Sequence, residues 1–304
     1  MNKILILSGG GTKCLALFIV LDEIQKITGK NIAQIFSSVH TSSGSSIAAS
    51  YFVQGKDKDK DGDYLHYFST MSENIFRTNI CTKIMNKLYC GKGNSKYSVQ
   101  NLEYNLKTTF GNINLKELNT NITITAMNNF NSSSVYFNSS GYPDLKLTDA
   151  ILSTVAAPTY FPPYKLGKMH YIDPGYYCNV PINSAISEIT NKKLNVHSNT
   201  QVYIVNLNQH LPSNELCNTH FSFLQSYLER VNESTRKDGM RNIKNLLGKN
   251  NVHELSINFE RQIPIDSFSD EDFNYIKSVA YTSILNDNEF FQSLAGVCSE
   301  INDF

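Results

Sequence analysis

Two short apolar runs open the chain, each ended by a cluster of small residues and followed by a longer apolar segment. Lys3 to Leu7 runs into Ser8-Gly9-Gly10-Gly11, and an apolar-rich stretch continues from Lys13 to about Thr28, where Gly29 provides a stop. This predicts a strand, a tight turn and a helix. Ile35 to Val39 repeats the pattern as a short strand, followed by the turn His40-Thr41-Ser42-Ser43-Gly44 and a helix from Ser45 to Phe52. Farther along, Asn121 to Met127, Ser134 to Asn138 and Gln201 to Asn208 alternate or concentrate β-branched and aromatic residues as strands do. Thr148-Asp149 caps a helix ending at Pro158, and about Phe221 to Leu247 reads as helix broken near Asp238-Gly239. Ser269 with Asp272 resembles a capping box opening a helix to about Leu285. Strands alternating with helices predict an α/β sheet with helices on both faces.

The chain shows no internal repeat and no linker long enough to separate two domains. The expectation is a single domain over 1–290 with an inserted lid-like region at about 55–118, followed by a tail over 291–304. Gly55 to Asp63 is a low-complexity run of alternating Lys and Asp, read as an exposed loop after the second helix. It matches the first half of a calcium-binding loop, but the twelfth position from Asp57, where a bidentate acid is needed, is Phe68.

Composition narrows the function classes. The chain has 304 residues, 41% of them hydrophobic, which is too apolar for disorder. Its 27 basic and 27 acidic residues cancel, so no protein-wide attraction draws it to nucleic acid, and none is expected as a partner. No run approaches the roughly 18 to 20 apolar residues that span a bilayer, and the first apolar run is too short for a secretory signal, so a cytoplasmic protein is expected. Cys14, Cys81, Cys90, Cys178, Cys217 and Cys298 are scattered without a CxxC pair, which argues for reduced thiols and against zinc or a disulfide framework. No metal or cofactor is expected.

The zero net charge is uneven along the chain. Arg77, Lys83, Lys87, Lys92 and Lys96 lie together without an acidic residue, while Phe76, Ile80, Ile84 and Leu88 recur every fourth position. Residues 76–97 therefore read either as a basic amphipathic helix in peripheral contact with an anionic membrane or as a lid helix with a solvated cationic face.

Two turns and one carboxylate carry the candidate chemistry. The glycines of Ser8-Gly9-Gly10-Gly11-Thr12-Lys13-Cys14 can aim backbone N–H groups at negative charge. The Walker spacing is absent, and Cys14 stands where a dinucleotide fingerprint needs its third glycine, so an oxyanion hole is the better use of this turn. Ser42, with Gly44 two residues later, sits between strand and helix as in a nucleophile elbow, although a serine-rich helix cap would look similar. Several histidines follow Ser42, but an elbow on the second strand leaves no room for the sheet that precedes the nucleophile in a triad hydrolase. Asp173 in His170-Tyr171-Ile172-Asp173-Pro174-Gly175 is the better base; the alternative is an Asp that merely starts a Pro-Gly turn.

Taken jointly, Gly9 to Lys13, Thr41-Ser42-Ser43-Gly44, Ala156 to Pro163, Tyr171 to Gly175 and Asn179-Val180-Pro181 closely resemble the patatin-like phospholipase family over roughly residues 4 to 190. The resemblance implies a three-layer sandwich around a central mostly parallel sheet and a Ser-Asp dyad that cleaves lipid acyl esters without a catalytic histidine or metal. Carried over, Ser42 is the nucleophile, Asp173 the base, and Gly9, Gly10, Gly11 and Lys13 the oxyanion region; His40 and Gly44 flank the elbow, and Pro174 and Gly175 follow the base. Cys14, His40 and Pro174 stand where the family has glycine. An inactive relative that binds lipid or a protein partner is the rival reading.

Overall fold

The structure, a computed structural model, describes residues 2–56, 63–77, 95–192, 200–209 and 220–299. Its architecture follows from the strand at the start of the chain. In β1 (Asn2–Leu7), Ile4 and Ile6 enter one apolar cluster and Leu5 and Leu7 another, all fully buried. Side chains alternate across a strand, so a strand apolar on both faces must be covered on both.

β1 lies inside a mixed sheet with β2 (Ser38–Ser42), β3 (Asn121–Asn128), β4 (Ser134–Phe137), β5 (Tyr164–Leu166), β6 (Met169–Ile172), β7 (Thr200–Gln209) and β8 (Val252–Phe259). The order is β5-β6-β3-β2-β1-β7-β8, with β4 also on β3. The pairings from β3 through β2, β1 and β7 to β8 are parallel, and β4, β5 and β6 are antiparallel.

The helices are α1 (Leu15–Thr28), α2 (Ile32–Ile35), α3 (Ser45–Val53), α4 (Tyr64–Phe76), α5 (Val99–Phe110), α6 (Leu147–Val155), α7 (Ile182–Asn191), α8 (His220–Leu247), α9 (Asp270–Asn286) and α10 (Asn288–Ser299). The larger cluster joins Leu5, Leu7 and Tyr203 of the sheet to α1, α3, α4, α5, α6, α9 and α10. The smaller one packs Ile4, Ile6, Val202 and Ile204 against Ile182, Ala185 and Ile189 of α7 and Met240, Ile243 and Leu247 of α8. Each fully buried aliphatic side chain contributes about 1.5 to 3 kcal/mol, so both clusters hold the sheet in place.

Two sequence expectations change. The second strand begins at Ser38 rather than Ile35, because Asn31 and Gln34 form a reciprocal capping box that turns Ile32–Ile35 into one helical turn. α8 runs unbroken through Asp238-Gly239: a Cβ on Gly239 would lie 3.2 Å from the Cβ of Ile182, so this glycine admits α7 rather than ending a helix. At the start of the stretch expected as a tail, Phe291 and Leu294 of α10 are buried in the larger cluster together with Phe290. Within the expected lid-like region, α4 and α5 also pack into that cluster through Phe68, Met71, Ile75, Leu102, Leu106 and Phe110. The calcium-loop-like run over 57–62 and most of the basic segment, 78–94, lie outside the described residues.

Candidate active site

β1 and β2 are parallel neighbours with Leu7 opposite Thr41, so the glycine turn and the serine-rich turn leave the same edge of the sheet side by side. The crevice outside the carboxyl ends of parallel strands is where open α/β sheets bind ligands.

The serine-rich turn separates its two serines. Ser42 is the last residue of β2 and fully buried; its Oγ donates to the Asn179 carbonyl at 2.6 Å. Ser43 has φ 53°, a left-handed conformation that costs a non-glycine residue about 1 to 2 kcal/mol. Its N–H donates to Thr154 Oγ1 at 2.8 Å, and its Oγ donates to Asp173 Oδ2 at 2.5 Å. The pairing expected for Ser42 with Asp173 is thus made by Ser43. The cause is a one-residue frame: counting from His40 places Ser42 at the elbow, whereas the strand extends through Ser42 and the sharp turn falls on Ser43. Neither frame supplies both flanking glycines, since Thr41 and Ser45 take those places in the shifted one.

Asp173 follows β6 and is buried, with its N–H donating to Ala156 O at 3.0 Å. Pro174 and Gly175 open a 3-10 turn in which the Gly175 N–H donates to Asp173 Oδ1 at 2.8 Å. Burial pushes the Asp173 carboxyl up to about 6, against the opposing hydrogen bonds from Ser43 and Gly175. Pro174 therefore starts the short helix and leaves the Gly175 N–H available to the carboxylate.

In the glycine turn, Gly9 is pinned: its N–H donates to Asn179 O at 2.8 Å, and a Cβ there would lie 2.9 Å from the Cβ of Ser43. Gly11 has φ 55°, and a Cβ on it would meet the Cβ of Ile265 at 2.7 Å. The amides of Gly10, Gly11 and Gly44 have no acceptor among the described hydrogen bonds. Lys13 Nζ donates to Gln209 Oε1 at 2.7 Å; burial lowers its pKa, partly offset by Glu229. Cys14 packs beneath the elbow, its Sγ 3.0 Å from where a Gly44 Cβ would be, and burial raises its thiol pKa so that it stays protonated.

His40 faces the other side of the sheet. Fully buried, its ring contacts Ser184 Oγ at 2.8 Å and Glu188 Oε2 at 3.1 Å on α7. Burial pulls the Glu188 carboxyl up, but His40 and Lys192 prevail and hold it at about 2. The imidazole is thus a strut between sheet and helix.

Ser43, Asp173, Gly10, Gly11 and Lys13 line one cavity of about 1200 Å³. Ile47 of α3, Phe68, Met71 and Ile75 of α4 and Phe161 give it an apolar wall, and Asn206, Asn208 and Gln209 of β7, Asn258 of β8 and Arg230 and Arg236 of α8 a polar one. The sequence reading passed over Ser43, Thr154, Asn179, Gln209 and Asn232. Asn179 was visible only as part of Asn179-Val180-Pro181, and Asn232 lies in a helix without a motif.

The model of the family described as patatin-like phospholipase matches residues 5–186, more than half of the chain. A curated relative, the cGAMP-activated phospholipase of Escherichia coli (strain TW11681), is 27% identical over 229 residues, which are 67% of this chain and 61% of the relative. The match thus spans less than two thirds of that protein. Among solved structures, VipD from Legionella pneumophila aligns with a TM-score of 0.43 at 12% identity over 93% of this chain and 67% of its own. The type III effector ExoU aligns with a TM-score of 0.42 at 12% identity, covering 97% of this chain and 53% of its own.

Proposed function

We propose that this chain, which belongs to the patatin-like phospholipase family, cleaves fatty-acyl esters of phospholipids with Ser43 as nucleophile and Asp173 as base. The observation that carries this reading is the 2.5 Å hydrogen bond from Ser43 Oγ to Asp173 Oδ2 at the wall of a large, partly apolar cavity. A carboxyl held near 6 is ionised at neutral pH yet basic enough to take the hydroxyl proton as the oxygen attacks.

Ser43 Oγ bonds to the ester carbonyl carbon while its proton passes to Asp173. The carbonyl oxygen becomes an oxyanion facing the Gly10, Gly11 and Gly44 amides, which have no other described acceptor. Collapse expels the lysolipid alkoxide, which takes the proton from Asp173, and leaves an acyl-serine. Water, deprotonated by Asp173, then attacks the acyl carbon, and Ser43 leaves with that proton as the fatty acid departs. The apolar wall suits the acyl chain, and the amides and guanidinium groups of the other wall suit a polar headgroup.

A fluorophosphonate probe tests the assignment. It should label the wild type and Ser42→Ala at Ser43, and Ser43→Ala should lose both labelling and ester turnover. Labelling that persists in Ser43→Ala would overturn Ser43; a wild type that neither labels nor turns over ester would favour the inactive lipid-binding relative. Peripheral membrane contact through residues 76–97 belongs to the same proposal. Lys83→Glu with Lys87→Glu should weaken binding to anionic vesicles and spare turnover of a soluble ester, and unchanged vesicle binding would remove that contact.

A further inference from the structure

Resting on the acyl-hydrolase reading, we propose that Asn232 of α8 is a positioning residue for the dyad, fixing the segment from Asp173 to Asn179 and with it the hydrogen bonding of the base.

Within that segment, the N–H groups of Tyr177 and Cys178 both donate to Pro174 O, at 2.8 and 2.7 Å. Asn232 then spans it with both ends of one amide. Its Nδ2 donates to the carbonyl of Gly175, and its Oδ1 accepts from the N–H of Asn179 at 3.1 Å. Gly175 is thereby held at both of its backbone groups, since its own N–H donates to Asp173 Oδ1.

The other end reaches further. The Asn179 carbonyl accepts from Gly9 N at 2.8 Å and from Ser42 Oγ at 2.6 Å, and its Nδ2 donates to Gly9 O at 3.0 Å. Through Asn179, Asn232 joins the base segment to the glycine turn and the elbow. Around it α8 has two tasks: Met240, Ile243 and Leu247 anchor the helix in the smaller apolar cluster, while Leu228, Glu233 and Arg236 line the cavity. Asn232 is where the cavity wall meets the segment carrying the base.

Positioning has a signature that packing alone lacks. Loosening Gly175 weakens a hydrogen bond that favours ionised Asp173, so Asn232→Ala should raise the folded-state pKa of that carboxyl. Its stability loss should then be larger at about pH 8, where Asp173 is ionised, than at about pH 5, where it is mostly protonated. In an Asp173→Asn background the loss should be equal at the two pH values. Asn232→Asp, which keeps the acceptor for Asn179 but sets a carboxylate oxygen against the Gly175 carbonyl, should show the same pH difference, larger still. On a soluble short-chain ester, kcat should fall about 10- to 100-fold with KM within about twofold, because the groups are misplaced rather than removed. Arg241→Ala, in an exposed ion pair on the same helix, should change neither reading.

Thermal melts of the single and double variants at both pH values decide the matter independently of catalysis. Equal losses at the two pH values in both backgrounds would reduce Asn232 to a packing role and overturn the proposal, whatever happens to kcat. A pH difference abolished by Asp173→Asn would uphold the positioning even in a protein that turned over no ester, and that result would refute the hydrolase reading alone.

Discussion

The Asp173 carboxyl sets the pH behaviour of the site. Its folded-state value near 6 lies above the ordinary carboxylate value of 3.8 because burial penalises the charged form. Activity that needs the ionised base should therefore rise with pH through about 6, and kcat/KM measured across that range should show an acid limb there. Stability runs the other way. Between 3.8 and about 6 the folded state binds more protons than the unfolded chain, so this group's contribution to stability declines as pH rises through that window. Asp173→Asn removes the charge, and its melting temperature relative to wild type should be higher at about pH 8 than at about pH 4. A wild-type acid limb far from 6, or no pH dependence in the difference between the two proteins, would show that burial does not govern this carboxyl. Asp173 was legible as the proposed base only jointly with the two turns of the family resemblance, since Asp-Pro-Gly after an apolar strand serves equally to start a turn. The serine that meets Asp173 was legible only to within one residue, since His40 to Ser45 carries one glycine where two would fix the frame.

At the scale of elements, the apolar run of β1 and the concentration of β-branched and aromatic residues in β3 and β7 predicted these strands well, because strands covered on both faces leave runs that need no partner to be read. The misread glycine in α8 was of another kind. Gly239 is chosen by Ile182, 57 positions away in the chain, and a helix interior gives no local sign of such an approach. Gly239→Ala tests which term is larger. Alanine gains about 1 kcal/mol in helix propensity, while pressing a methyl against a packed side chain costs typically 1 to 3 kcal/mol. The variant should be modestly destabilised, and a clear gain in melting temperature would mean that α7 and α8 separate easily. The other joint of α7 is electrostatic. Glu188 is held at about 2 against an ordinary value of 4.5, so its stabilisation is complete above 4.5 and is lost as pH falls toward 2. Glu188→Gln should be less stable than wild type near neutral pH, with the difference narrowing as acid protonates the carboxylate, as urea melts across that range would show.

Across the whole molecule, the sheet brings together residues that the sequence keeps far apart: the glycine turn from one end, Asp173 from the middle, and a cavity wall from β7, β8 and α8 that carries no motif. The family resemblance ended near residue 190, so the polar wall could not be read from it. The apolar wall makes the sharper prediction, because its contribution scales with the chain it covers. Burying one methylene is worth about 0.8 kcal/mol, so kcat/KM should climb up to about fourfold per methylene along a series of soluble esters until the wall is filled. Ile75 lines this wall from α4. Ile75→Trp should shorten the space: if four methylenes lose their contact, the longest esters fall by about 3 kcal/mol, roughly 100-fold, while acetate esters are nearly unaffected. A variant that loses rate uniformly across the series would instead be a damaged fold, and one whose chain-length profile is unchanged would place the acyl chain against the other wall.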